Sequence, residues 1–152
     1  DVEETRLAPL RRALARLGVA AKVLRGDARH PARLWDGRPF DAILADVPCS
    51  GSGVARRHPD IKWLRRTEDV AGFARQQREI LDGLWPLLKP GGRLLYATCS
   101  IFAEENEEQV RVFVKRHRDA RLVPLDGERE TLALLPDETH DGFFYALLRK
   151  TA

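Results

Sequence analysis

The chain carries only two thiols, Cys49 and Cys99, and each follows shortly after an apolar run. A cysteine at such a place can be activated as a thiolate by a neighbouring cation or a helix N-terminus, and it is then a nucleophile. A pair of inert, buried cysteines is the competing reading. Asp46 stands just ahead of Cys49, and Asp27 follows a further apolar run, Val19 to Leu24. In open parallel sheets ligands collect beyond the carboxyl ends of the strands, where loops converge. Asp27, Asp46, Cys49 and Cys99 all fall at such ends, so as a set they read as a site, although any one aspartate there could simply order a turn. The thiols are too far apart for a close-spaced zinc site and lack the Cys-x-x-Cys spacing of a dithiol redox motif. They are also too few to staple a small secreted fold. Free thiols and no metal are expected.

The elements that would position these groups alternate along the chain. Leu7, Leu10, Leu14 and Leu17 recur at helical spacing, and Gly18 suits a left-handed C-terminal cap. Val19 to Leu24 reads as a strand. Pro31, Gly37 and Pro39 punctuate a loop with a helical turn around Leu34-Trp35. Phe40 to Asp46 is nearly continuous apolar sequence, as expected of a central strand buried on both faces. Pro48 stops it, and Cys49-Ser50-Gly51-Ser52-Gly53 forms a flexible loop leading into Arg56 through Arg66. Thr67, with Glu68 and Asp69 behind it, is expected to N-cap a long helix whose apolar face is Val70, Phe73, Ile80, Leu81, Leu84 and Leu88; Lys89-Pro90-Gly91-Gly92 ends it. Arg93 to Thr98 predicts a strand running straight into Cys99-Ser100. A helix over 103–117, acidic in its first turns, and strands over 121–125 and 143–149 complete the pattern. Alternating strands and helices predict an α/β domain with a largely parallel sheet.

At 152 residues and 43% hydrophobic composition there is apolar material for one compact domain over 1–152. No run approaches the roughly 18 apolar residues of a membrane span, and no secretory leader opens the chain, so a cytoplasmic protein without a membrane partner is expected. Lys and Arg total 26 against 23 acids, a net charge of +3, and 21 of the 26 are Arg, whose planar fork suits phosphates and base edges. Arginines cluster as Arg11-Arg12, Arg56-Arg57-His58 and Arg65-Arg66. Charge alone does not separate an RNA-facing surface from a solvated one.

Asp46-Val47-Pro48-Cys49-Ser50-Gly51-Ser52-Gly53 resembles the Asp-x-Pro-Cys-Ser-x-x-Gly signature of the RNA cytosine-5 methyltransferases, and Tyr96-Ala97-Thr98-Cys99-Ser100 resembles their Thr-Cys-Ser signature. His58-Pro59-Asp60-Ile61-Lys62-Trp63, Glu104-Glu105-Asn106 and Asp141-Gly142-Phe143-Phe144-Tyr145 extend the likeness, over nearly the whole chain, to bacterial members that modify 16S ribosomal RNA. The resemblance implies a Rossmann-like, S-adenosylmethionine-dependent methyltransferase fold. It implies that Cys99 is the nucleophile, that Cys49 aids product release and that Asp46 contacts the target base. It further implies that Asp1, Asp27 and Asp46 lie at the cofactor, Asp27 against the adenine and Asp1 against the ribose.

These residue types suit the chemistry. Carbon 5 of cytosine is too weakly nucleophilic to take a methyl group from a sulfonium, so a nucleophile must first add at carbon 6, and a thiolate does this well. Residues alone do not decide which thiol adds, since DNA cytosine-5 methyltransferases place theirs in a Pro-Cys motif. Both faces of the base must be reached, which implies an unstacked nucleotide in a single strand or loop. Arg56, Arg57, Lys62, Arg65 and Arg66 could guide such RNA; Trp63 and Phe144 could stack on it or simply pack.

The family's glycine-rich cofactor loop, the first strand and most of the second lie upstream of Asp1, as would any RNA-binding domain before them. The expectation is therefore a partial catalytic domain. Its alternatives are a non-catalytic RNA-binding module or an inactive fragment of such an enzyme.

Overall fold

In the structure, a computed structural model, residues 1–33 and 35–152 are described. Its centre is a crossover that brings two strand ends together. β1 (Phe40–Asp46) and β2 (Leu88–Thr98) run parallel, with Ile43 opposite Leu94 and Asp46 opposite Ala97. Parallel neighbours cannot be joined by a tight turn; the connection here is built on α3 (Thr67–Leu84), preceded by a single short turn, α2 (Ile61–Leu64). β5 (Phe143–Lys150) lies antiparallel on the other side of β2, with Thr98 opposite Phe144. β3 (Ala120–Val123) and β4 (Thr131–Leu134) pair with successive halves of the far edge of β5.

Alternation along β2 and β5 sets the core. Leu94, Tyr96, Phe144, Ala146 and Leu148 share one buried face, which packs against Ile80, Leu81 and Trp85 and against Val110 and Phe113 of α4 (Glu107–Arg116). Trp85 meets Phe113 edge-on at 5.2 Å between ring centres. α1 (Glu4–Leu17) ends at Gly18 with φ 65°, as the leucine spacing and the glycine predict, and buries only Leu7.

Several expectations change. The α/β architecture holds, but the sheet is mixed: β1–β2 is parallel, while every ladder to β5 is antiparallel. β1 is an edge strand, not a doubly buried one, because no described residue pairs with its other side; Leu44 is 67% exposed. Val19 to Leu24 is not a strand for the same reason. A strand needs a neighbour to take its backbone groups in a ladder, and among the described residues none forms a ladder with this segment. Arg66 occupies the N-cap position of α3, its N–H donating to Asp69 at 2.9 Å, so Thr67 is the first helical residue. α3 stops at Leu84, followed by a 3₁₀ turn over Trp85–Leu87, and the Lys89 to Gly92 stretch is a bulge at the head of β2, with Gly91 at φ 79°. The helix expected over 103–117 is broken at Asn106 into a 3₁₀ turn (Ala103–Glu105) and α4. A 3₁₀ turn covers Pro31–Arg33; the turn expected around Leu34-Trp35 falls partly outside the described residues.

Candidate active site

Because β1 and β2 are parallel neighbours in register, the chains leaving their carboxyl ends emerge side by side. Cys49 lies three residues past Asp46 and Cys99 two past Ala97, and their sulfurs are 3.4 Å apart. Two thiols this close cannot ionise independently. The hydrogen bond between them draws the Cys99 thiol down to about 7 and, helped by burial, pushes Cys49 far up. Of the two, Cys99 is the thiol whose surroundings favour ionisation.

Beneath the sulfurs sits a polar cluster fastening one loop to the other. Glu105 is fully buried, and its carboxylate accepts the Ser50 N–H at 2.8 Å, the Ser50 hydroxyl at 2.6 Å, the Ser100 hydroxyl at 2.5 Å and the Gln77 amide at 3.1 Å. Ser50 and Ser100 each immediately follow a cysteine. Since both hydroxyl protons go to the carboxylate, their oxygens are left as acceptors, and Ser52 Oγ lies 3.1 Å from each. The Gln77 amide also donates to Pro48 O, tying α3 to the turn before Cys49. Asn106 receives the Thr98 hydroxyl at 2.6 Å and donates to Ser100 O, clamping the other side of the Cys99 turn. Such a network is stiff because its buried members are cross-linked by several hydrogen bonds, only Gln77 Oε1 lacking a partner among the described residues.

Gly53 joins a third segment to these two. Its N–H donates to Cys99 O and its carbonyl accepts the Gly142 N–H, and a Cβ on Gly53 would lie 2.4 Å from Gly142 O. The antiparallel entry of β5 delivers Asp141-Gly142 to this spot. Asp141, largely buried, pairs with Arg57 at 2.6 Å and with Arg56 at 3.5 Å.

Two cavities open at this end of the sheet. One, of about 330 Å³, is lined by Cys99, Thr98, Ala97, Arg57, Val54, Phe143 and Tyr145 together with Leu44 and Asp46. The other, of about 550 Å³, brings together Asp1, Asp27 and Asp46 beside Ile43, Leu44, Ile80 and Leu84. Leu44 and Asp46 line both cavities. Three carboxylates around an apolar slot fit a ligand with a flat aromatic part, hydroxyls and positive charge, which describes S-adenosylmethionine. Asp27 is held down to about 2 by the Arg29 guanidinium and backbone N–H. The Asp1 carboxylate accepts the Glu3 N–H, while its carbonyl accepts the Gly26 N–H at 2.9 Å, which brings residue 1 next to the Asp27 turn. Among the described residues no cluster of His, Cys, Asp and Glu could hold a metal ion, and no helix is long and apolar enough to cross a membrane.

The description 16S rRNA methyltransferase RsmB/F matches residues 1–149. The chain belongs to the RsmB/F methyltransferase family. Ribosomal RNA small subunit methyltransferase B of Vibrio cholerae serotype O1 is 55% identical over 151 residues, 99% of this chain and 35% of that protein. The crystal structure of PH0851 superposes with a TM-score of 0.91 at 39% identity, over 99% of this chain and 36% of that one. NSun6 from Pyrococcus horikoshii, crystallised with SFG, gives 0.83 at 31% identity, over 100% of this chain and 40% of its own. The fold is the Rossmann-like one of S-adenosylmethionine-dependent methyltransferases, and the chain spans about a third of the length of the curated relatives it matches.

In this RsmB/F chain the five candidate catalytic and cofactor residues from the sequence fall at one rim: Cys49 and Cys99 in contact, Asp46 lining both cavities, Asp1 and Asp27 at the larger one. Sequence reasoning passes over Glu105, which reads only as one acid among several at a helix start, and over Ser50, Ser100 and Gln77. The signal for Glu105 is its place in the Glu104-Glu105-Asn106 motif. The basic residues divide. Arg65 is occupied, its Nε donating to Ser50 O at 2.7 Å and its guanidinium lying over Phe73. Phe144 is fully buried in the core, whereas Trp63 is 88% exposed.

Proposed function

We propose that this chain is part of the catalytic domain of an S-adenosylmethionine-dependent enzyme that methylates carbon 5 of an unpaired cytosine in 16S ribosomal RNA through a covalent cysteine adduct. The glycine-rich cofactor loop belongs, on this reading, to the portion of the protein preceding Asp1. The observation carrying the proposal is the contact of the two sulfurs, which favours ionisation of Cys99, beside an aspartate that lines two cavities.

The smaller cavity takes the target base and the larger the methyl donor, which when bound supplies an electrophilic methyl group. The Cys99 thiolate adds to carbon 6, forming the S–C6 bond and moving the carbon 5–carbon 6 electron pair towards carbon 5. Asp46 contacts the ring edge, where a carboxyl group favours the protonated, electron-poor ring that accepts this addition. Carbon 5 takes the methyl group, the sulfonium leaving as the neutral thioether S-adenosylhomocysteine; the carbon 5 proton then passes to water, the pair left behind rebuilds the double bond, and the S–C6 bond breaks to return the Cys99 thiolate. Cys49 aids this release by hydrogen-bonding the departing sulfur, which lowers the cost of its negative charge.

The test uses the complete protein, S-adenosylmethionine and RNA carrying 5-fluorocytosine at the target, where fluorine blocks the loss of the carbon 5 proton. A denaturation-resistant adduct that survives Cys49→Ala and vanishes with Cys99→Ala is the expected result. Adducts that follow Cys49 would reverse the roles of the thiols. RNA binding without an adduct in any version would favour a non-catalytic binding module.

A further inference from the structure

α2 is held tightly to the Cys49 loop and yet offers its largest side chain to solvent. Ile61 at its start packs over Gly51, and Arg65 just past its end donates to Ser50 O. Between these anchors Trp63 is 88% exposed and Leu64 is exposed as well. An indole normally buries most of its surface, and an exposed large apolar group on an otherwise fastened segment marks a contact surface. The surrounding charge defines the partner. Residues 56–66 contain Arg56, Arg57, Lys62, Arg65 and Arg66 against the single acid Asp60. Arg56 and Arg57 face Asp141 and Arg65 is turned inward, whereas Lys62 and Arg66 make no ion pair among the described residues. Arg57 also lines the Cys99 cavity, so this basic segment begins at the rim of that cavity and ends at the indole. An exposed flat ring flanked by unpaired cations suits a single strand of nucleic acid, whose bases present π-faces and whose phosphates sit at the edge of the stack. A protein partner would more naturally meet a broader apolar patch with a neutral centre.

We propose that Trp63 is a stacking platform for an unpaired RNA base flanking the target nucleotide, with Lys62 and Arg66 at its phosphates. This rests on the RNA methyltransferase reading and adds a position at which the strand outside the cavity is gripped.

The complete protein is titrated, without methyl donor, with a fluorescein-labelled, unstructured 12-nucleotide RNA and with the same strand annealed to its complement. Trp63→Ala is expected to weaken single-strand binding about tenfold, Trp63→Phe to recover affinity to within about threefold, and neither to alter duplex binding or the melting temperature. Replacing Lys62 and Arg66 by Gln lowers the slope of log affinity against log salt by about 0.7 for each phosphate that is no longer neutralised, while Trp63→Ala leaves that slope unchanged. Unchanged single-strand affinity in Trp63→Ala would overturn the proposal and leave the patch to a protein partner. So would an equal loss in Trp63→Phe, or an equal loss on the duplex. The fluorocytosine adduct separates the two readings: an adduct with a silent Trp63 overturns only the platform, and Trp63-dependent binding without any adduct overturns only the chemistry.

Discussion

Glu105 is where a single atom tests the arrangement of both thiols. Glu105→Gln keeps the shape and exchanges one acceptor oxygen for a donor. If the amide oxygen retains the Ser50 N–H and Gln77, the new NH₂ stands where Oε2 receives the Ser50 and Ser100 hydroxyls at 2.6 and 2.5 Å, and both hydroxyls must turn round to accept. A hydrogen bond to a charged group contributes about 1.5–3 kcal/mol and a neutral one about 0.5–1.5, so exchanging two of them costs about 2–3 kcal/mol. At roughly 2–4 °C per kcal/mol for a domain of this size, the transition falls by about 4–12 °C. Turning the hydroxyls also frees the residues following each cysteine, and adduct formation slows by about tenfold or more as the sulfurs lose their fixed approach. Calorimetry of the complete protein and the rate of fluorocytosine adduct formation measure the two effects separately. A Glu105→Gln protein that melts within about 1 °C of the parent and forms adduct at the same rate would refute the view that this carboxylate fastens the cysteine loops together.

Alkylation of Cys99 by chloroacetamide is expected to rise with pH around 7, and in Cys49→Ala the midpoint moves up towards the ordinary 9.0, because the donor that stabilises the thiolate is gone; at pH 7 this slows alkylation about tenfold, and an unmoved midpoint would contradict the thiol–thiolate pair. Gly53→Ala pushes a Cβ against Gly142 O, where the open distance is 2.4 Å; overpacking of this kind costs about 1–3 kcal/mol, seen as a lowered denaturation midpoint, and a neutral substitution would show that the two loops are not fixed against each other. Asp27→Asn is expected to weaken S-adenosylhomocysteine binding to the complete protein about tenfold in calorimetric titration while leaving RNA affinity intact, and the reverse pattern would remove Asp27 from the cofactor side.

Local pattern carries the fold where an element is defined by its own residues. The leucines of α1 with Gly18, the long α3, and the strands leading to Asp46 and Cys99 are of this kind. It fails where the answer depends on a neighbour. Val19 to Leu24 and the outer side of β1 have strand-like composition, but a ladder needs a second chain segment that sequence spacing cannot supply. β4 escapes sequence reading because a four-residue strand among turn formers gives no periodicity of its own. The thiols and aspartates are legible because their types are reactive and their flanks distinctive. Glu105 does not read as central because acids are ordinary at a helix start; only burial, and four donors converging from three different segments, set it apart from Glu104 beside it.

Leu44 and Asp46, two residues apart on one face of β1, line both cavities. Side chains so spaced lie about 7 Å apart, so the two cavities adjoin along a short stretch of one strand. On the proposed function, a nucleoside in one chamber and a pyrimidine in the other could then be joined by a short tether. The second half then binds at the effective concentration set by that short tether, and selectivity comes from the span as much as from either half.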